Sequence, residues 1–288
     1  MSEKILIASD STTDLSPELI EKYQIKILPL GVQLGQTHYT DGVDIDPELI
    51  YSHYAQTGKL PKTSAVNMSE FSDFFKEYTQ KGYSVVFFTI SAEMSSTYNN
   101  ARLSAQNYEN VYVVDTKNLS TGGGLIVLSA AEMVLEGKSA KEISEKCEKL
   151  TECVDASFVI DDLEFLYKGG RCSALAAFGA NLLHLKPCIT VKDGKMGVAK
   201  KYRGKFAPVL SAYIADRIGD GSNIDLKRVF VTHAGCDKEI YLECVKQVKE
   251  LAPFEEVHIT RAGCTVSSHC GRNTLGVLFL RKKPIINE

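Results

Sequence analysis

Val85-Val86-Phe87-Phe88-Thr89-Ile90 is the stretch that decides the fold class. It is apolar almost throughout and lacks the polar–apolar alternation of a half-exposed strand, so it reads as a strand covered on both faces. A Ser/Thr-rich loop follows, Ser91-Ala92-Glu93-Met94-Ser95-Ser96-Thr97, and then a polar–apolar helix pattern. The same grammar stands upstream. Lys4-Ile5-Leu6-Ile7-Ala8 runs into the polar cluster Ser9-Asp10-Ser11-Thr12-Thr13-Asp14. Ser16 is then placed to cap a helix, with Pro17 in its first turn and Glu18 at its positive end. Downstream, Val111-Tyr112-Val113-Val114 leads through Asp115 to Gly122-Gly123-Gly124 and a helix of small residues. A further helix opens with the capping-box pattern Ser139-Ala140-Lys141-Glu142. Doubly covered strands joined through helices predict an α/β first half with a mainly parallel sheet flanked by helices.

The second half repeats this less regularly. Strands are expected at Ala156 to Ile160, Pro187 to Val191, Arg228 to Thr232, Glu256 to Thr260 and Leu275 to Leu280. Asp193-Gly194 between Ile189-Thr190-Val191 and Met196-Gly197-Val198 reads as a hairpin turn. That implies a mixed sheet. The expected division is an N-terminal α/β domain over 1–153 and a C-terminal α/β domain over 154–288. No Pro/Gly/Ser-rich linker separates them, so the two halves are expected to pack closely.

The chain has 288 residues, 44% of them hydrophobic and 24% charged, which excludes a disordered or fibrous protein. With 33 basic and 36 acidic residues there is no bulk electrostatic case for nucleic acid. Met1-Ser2-Glu3-Lys4 does not open a signal peptide. The longest apolar tract, Leu125 to Leu135, is interrupted by Ser129 and Glu132 and is too short to span a bilayer. A cytoplasmic, soluble protein is the expectation. The 8 cysteines form no Cys-x-x-Cys pair and are expected to be reduced structural thiols. Cys264, His269 and Cys270 cluster locally but lack a fourth ligand, so no metal is expected.

In open α/β sheets, ligands bind beyond the carboxyl ends of the strands. Three loops there are rich in hydroxyls or glycine: Thr63-Ser64, Ser95-Ser96-Thr97 and Ser120-Thr121-Gly122-Gly123-Gly124. Hydroxyls and free backbone N–H groups at a helix start suit a carboxylate or phosphate. A second reading makes Ser95 a helix cap and nothing more. Arg171 follows Lys168-Gly169-Gly170, and His269 lies in Ser267-Ser268-His269-Cys270-Gly271-Arg272. A guanidinium matches the two oxygens of a carboxylate, and an imidazole donates or accepts near neutrality. Neither dinucleotide nor phosphate-loop spacing surrounds the three glycines, which favours close helix–sheet packing there over nucleotide binding. Gly-x-Ser-x-Gly is absent too, although a Ser95–His269 pair stays open because triads are defined by geometry. Lys200-Lys201-Tyr202-Arg203-Gly204-Lys205, with Arg281-Lys282-Lys283, is either a solvated face or a docking surface for an acidic partner.

Taken in order, these residues resemble the DegV family. The likeness runs through Asp10-Ser11-Thr12-Thr13-Asp14-Leu15, Thr63-Ser64 and Ile90-Ser91-Ala92-Glu93-Met94-Ser95-Ser96-Thr97-Tyr98. It continues in Leu163-Glu164-Phe165-Leu166-Tyr167-Lys168-Gly169-Gly170-Arg171, Leu185-Lys186-Pro187 and Asp193-Gly194, and ends with His233-Ala234-Gly235, His269 and Leu275-Gly276-Val277. It spans essentially the whole chain.

That resemblance implies two α/β domains holding a long-chain fatty acid between and within them, with no cofactor beyond this ligand. Thr63 and Ser95, in loops shared with Ser64, Ser96 and Thr97, would be hydroxyl ligands of its carboxylate. Arg171 and His269 would be their polar partners. The chain would be no enzyme itself but the acyl carrier of a fatty acid kinase, with Arg203 in the docking surface and transient membrane contact for lipid exchange. Phe165, Leu166, Leu175, Phe178, Leu182 and Leu183 would line the tunnel or serve as core. Some positions depart from the family pattern. Ser96 replaces a glycine, Ala65-Val66-Asn67 follows Thr63-Ser64, and Gly271-Arg272-Asn273 stands where Gly-Pro-Gly is usual, so that Arg272 would add a cation near the anion. Two other readings remain at this point: an acyl hydrolase using Ser95 and His269, and a module for a small phosphorylated ligand at Gly122-Gly123-Gly124.

Overall fold

The computed structural model describes residues 3–173 and 185–285. In chain order the first part contains β1 (Ile5–Asp10), α1 (Pro17–Lys22), β2 (Lys26–Leu28), β3 (Gly31–Leu34), β4 (Thr37–Thr40), α2 (Pro47–Thr57) and β5 (Lys62–Ser64). There follow α3 (Met68–Gln80), β6 (Ser84–Thr89), α4 (Thr97–Ala105), β7 (Val111–Asp115), α5 (Thr121–Leu135) and α6 (Ala140–Leu150). Strands β2-β1-β6-β7 form a wholly parallel sheet, Ala8 pairing with Phe87 and Phe87 with Val113. The reason its strands read as unbroken apolar runs is visible in the packing. Leu6, Ala8, Val85 and Phe87 face Phe71 and Phe75 of α3 and Ala101 of α4. Ile7, Val86 and Phe88 face the other way, onto α5 and α6.

The second part contains β8 (Val154–Ile160), α7 (Glu164–Gly169), β9 (Leu185–Lys192), β10 (Lys195–Arg203), α8 (Phe206–Ile218) and β11 (Ile224–Ala234). It ends with α9 (Lys238–Leu251), β12 (Glu256–Arg261), α10 (Cys264–Cys270) and β13 (Thr274–Arg281). These six strands form a mixed sheet in the order β10-β9-β8-β13-β11-β12, in which only β11 and β12 run parallel. The turn between β9 and β10 has Asp193 at φ 49° and Gly194 at φ 79°, the paired positive angles a two-residue hairpin requires. One face of this sheet meets α8 and α9 through Val159, Tyr213, Val231 and Val277. The other, through Ala156, Phe158, Phe230 and Leu278, joins the cluster that contains Ile7, Phe88 and α5.

Helix α5 is therefore packed between two sheets, which explains why Leu125, Ile126, Val127 and Leu128 in successive positions are all buried. Its three glycines are packing devices. A Cβ on Gly122 would lie 2.1 Å from Asn118 Oδ1, and one on Gly124 would lie 2.9 Å from the carbonyl of Thr13. The small antiparallel sheet β4-β3-β5 is an element the sequence reading lacked. It matters because β5 carries Thr63. Among the described residues no helix is long and apolar enough to cross a membrane. Leu175, Phe178, Leu182 and Leu183 lie outside the described residues.

Candidate functional site

The site is assembled at the carboxyl ends of the parallel strands, where α10 of the second part reaches across to β5 and to the loop after β6. Thr63, Ser95, Arg171 and His269 line one cavity of about 160 Å³, together with Ser96, Met94 and Met196. A second cavity of about 30 Å³ lies against it, walled by Ala156, Phe158, Val191, Ala234 and Leu278. Leu119, Val266 and Cys270 border both and form the partition.

His269 sits near the end of α10, and its Nε2 shares a 2.9 Å hydrogen bond with Thr63 Oγ1. Burial, and after it the charge of Arg171, hold the imidazole down at about 4, so it is neutral at pH 7. Nδ1 is buried without a partner. The approach to the ring explains the two glycines before Arg171. Gly170 takes the left-handed angle (φ 71°) that ends α7, while a Cβ on Gly169 would lie 2.8 Å from His269 Nδ1. Arg171 Nη1 donates back to the Gly169 carbonyl at 2.8 Å, and the residue is exposed at the mouth.

Ser95 Oγ accepts from the Thr97 N–H at 3.3 Å and shares a 2.9 Å bond with Thr97 Oγ1; it lines the cavity and precedes the N-cap of α4, which is Ser96. Thr97 is fully buried behind it and does not line the cavity, nor does Ser64. Ser64 is exposed, with its hydroxyl over Gly31. Arg203 is exposed at the end of β10, an edge strand that carries Met196 at the mouth. Arg272 departs from the sequence expectation. It pairs with Glu48 and lies over the Tyr51 ring at 5.1 Å, drawn to a carboxylate that Arg261 also holds at 2.5 Å. Phe165 packs edge-on against Tyr54 and Leu166 belongs to the central core, so neither lines these cavities.

The geometry does not form a triad. No hydrogen bond joins Ser95 to His269 among the described residues, and Nδ1 has no carboxylate to orient it. Gly122, Gly123 and Gly124 are buried against their own chain and leave no cradle for a phosphate. Among the described residues no group of three His, Cys, Asp or Glu side chains could hold a metal ion.

What the sequence reading missed is how α10 is held. Asp41 Oδ1 accepts from Cys264 N–H at 2.8 Å, and its Oδ2 accepts from Thr265 N–H at 3.1 Å and from the Ser11 hydroxyl at 2.9 Å. Asp14 Oδ1 accepts from Gly263 N–H at 2.8 Å, and its other oxygen accepts from the Ser120 hydroxyl. Asp10 takes the Ile90 N–H at 2.7 Å, fixing the loop that carries Ser95. The polar cluster after β1 is thus the bracket on which the site is built. Its signal in the sequence was only the density of Asp and Ser after a strand.

Burial pushes the Asp14 carboxyl up to about 8 and that of Asp10 to about 6, against the hydrogen bonds that favour the ionised forms. In the unfolded chain Asp14 titrates near 3.8. Between those values the folded protein keeps a proton that the unfolded chain loses, so this contribution to stability is complete below about pH 4 and fades as pH rises through 8. Asp14→Asn carries no such proton. The thermal midpoint of that variant minus the wild-type midpoint is expected to climb steadily from pH 4 to pH 8. A difference that stays flat contradicts a buried, protonated Asp14.

Comparison with known proteins points one way. Residues 4–282 match the profile described as "Uncharacterised protein, DegV family". A DegV domain-containing protein of Clostridium acetobutylicum is 33% identical over 97% of this chain and 99% of its own. A DegV family protein from Thermus thermophilus, described as fatty acid binding, superposes with a TM-score of 0.87 at 29% identity, covering 96% of this chain and 99% of that one. A stearic acid-binding protein from Eubacterium ventriosum gives 0.83 at 30% identity, over 96% and 98%. A family profile over nearly the whole length, and a relative above 30% identity covered end to end, leave one assignment: the chain belongs to the DegV family.

Proposed function

We propose that this chain binds a long-chain fatty acid, with its carboxylate among Thr63, Ser95, Arg171 and His269 and its tail running past Leu119 into the apolar cavity, which widens to admit it. The observation that carries this reading is the meeting of those four side chains, from a strand, a helix and two loops far apart in sequence, on one cavity that adjoins a second, apolar one. The fatty acid binding described for the Thermus thermophilus and Eubacterium ventriosum proteins supports it. The reading divides the chain into domains 1–153 and 154–288, the first giving Thr63 and Ser95 and the second Arg171 and His269.

The roles follow from the chemistry. Arg171 supplies the charge, because the buried imidazole is neutral. With its proton on Nε2, His269 donates to Thr63 Oγ1 and leaves the threonine's own proton for the carboxylate. Burying roughly fourteen methylenes at ~0.8 kcal/mol each gives on the order of 11 kcal/mol before the costs of ordering and association. The tail therefore dominates affinity, and the head-group contacts fix orientation. The chain performs no chemistry of its own in this reading. It holds the acid group at an open mouth for a partner kinase that makes the acyl phosphate, with Arg203 on the docking face.

Lipid extraction of the denatured protein with mass spectrometry tests the class of ligand. Absence of bound fatty acid, together with no uptake of added fatty acid, rejects the proposal. Arg171→Ala and His269→Ala are expected to retain lipid within a few-fold of wild type while phosphorylation by the kinase falls much further. Parallel loss of both quantities rules out this division of labour.

A further inference from the structure

The partition between the two cavities is built from two pieces of chain that are remote in sequence. Leu119 comes from the turn before α5, and Val266 and Cys270 come from α10. One side chain touches the backbone supports of both. Asp14 bonds the Ser120 hydroxyl through one oxygen and accepts the Gly263 N–H on the other, so a single buried carboxyl group ties the residue after Leu119 to the residue that opens α10. The tie works against local preference. Ser120 is held at φ 51°, ψ −148°, a conformation suited to glycine, and Asp14 itself sits at φ 48°, ψ 28°. The Asp14 angle is one aspartate adopts readily, but the Ser120 angle is not one serine adopts without support, and Ser120 makes no capping hydrogen bond to α5 that would account for its position.

We infer that Asp14 is a clasp that sets the width of the opening between the head-group cavity and the tail cavity, and thereby governs how fast an acyl chain threads through and which tails fit. The inference rests on the fatty-acid reading and adds to it a positioning residue that touches no ligand. Asp41 holds the same end of α10 but reaches Ser11, not the Leu119 turn, so it fixes the helix without closing the partition.

Stopped-flow uptake of a fluorescent polyene fatty acid by the delipidated full-length protein tests this, using wild type, Asp14→Ala, Asp14→Asn and Ser120→Ala. Asp14→Ala and Ser120→Ala are expected to raise the association rate about tenfold, since passage no longer waits on opening. They are also expected to flatten the preference between straight and methyl-branched tails in competition. Asp14→Asn keeps an acceptor for Gly263 N–H and a donor for Ser120 Oγ, so it restores wild-type rate and preference. Unchanged or slower uptake in a folded Ser120→Ala protein overturns the clasp, as does an Asp14→Asn protein that behaves like the alanine variant. If Asp14→Ala fails to fold, Ser120→Ala carries the test alone. A wild type that takes up no fatty acid would defeat the lipid reading instead. The clasp is then judged by amide hydrogen exchange at Leu119–Gly122 and Gly263–Val266, which must quicken together in Ser120→Ala.

Discussion

Arg228→Ala is expected to destabilise the protein by about 2–3 kcal/mol, a fall in thermal midpoint of roughly 7 °C for a chain of this size. The guanidinium is 4% exposed and is shared between two carboxylates, Glu256 at 2.5 Å through Nε and Glu132 at 2.9 Å through Nη2. Glu132 belongs to α5 and Glu256 to β12, so the arginine locks the central helix to the edge of the six-stranded sheet. Tyr23, after α1, donates to the same Glu132 at 3.2 Å. Truncation removes the cation the two carboxylates share and leaves a cavity where the stem lay, with Glu132 kept by Lys227 and Tyr23 and Glu256 by His258 alone. The loss is then that of two charge-assisted hydrogen bonds and the packed stem. Lys227, which also reaches Glu132 at 2.7 Å but is half exposed, is the control: Lys227→Ala is expected to cost less than about 1 kcal/mol.

The pH dependence separates charge from packing. Burial alone would raise the Glu256 carboxyl, and the hydrogen bonds from Arg228 and His258 overcome this and bring it to about 2. A depressed carboxyl contributes stability that is present above its unfolded value of 4.5 and is lost as pH falls toward 2. In the alanine variant both carboxylates lose that support, and protonation relieves them. Thermal midpoints measured from pH 7 to pH 3 should therefore converge. A gap of constant size would mean that Arg228 acts through its packed stem alone.

How much of this was legible in the sequence depends on the range of the forces involved. The parallel sheet was readable because Val85–Phe88 is buried on both faces, and double burial writes itself as a run of apolar residues. Asp193-Gly194 was readable because a two-residue hairpin demands positive φ at both positions. The sheet β3–β5 was not, since Thr37, His38 and Lys62 are exposed and alternate weakly around a short turn. The site was half legible. Hydroxyls in loops after strands announce a polar pocket, but the Thr63–His269 bond spans 206 positions and no local signal predicts it. Arg272 misled because a cation directly after Gly271, three residues from His269, reads as a ligand until its partner is known. That partner, Glu48, lies in a helix on the other half of the chain.

Gly169→Ala should separate holding a fatty acid from presenting it. Adding one methyl group places a carbon 2.8 Å from His269 Nδ1, inside any contact that a carbon and an imidazole nitrogen tolerate. The ring is largely buried and is tied to Thr63 Oγ1, so it does not yield without breaking that bond. Either it rotates and gives up Thr63, or the end of α7 moves and takes Arg171 with it, because that guanidinium is fastened to the carbonyl of residue 169. Both routes displace one of the proposed head-group ligands by a large fraction of an ångström. Misplacement on that scale costs a positioned reaction up to the order of 10²-fold, so acyl-phosphate formation by the proposed partner kinase is expected to drop by that amount. Stability should hardly change. The strain at the ring is offset by the ~0.4–1 kcal/mol that alanine gains over glycine by restricting the unfolded chain. Lipid content on extraction should likewise stay close to wild type, since the proposed tail contacts lie beyond Leu119. The carboxyl-labelled ¹³C resonance of a bound fatty acid reports the head group directly, and it should shift in Gly169→Ala and not in Gly170→Asn, where a left-handed angle is kept and no ring is struck. An unshifted resonance with normal phosphorylation would show that His269 is a wall residue and that the acid group sits elsewhere.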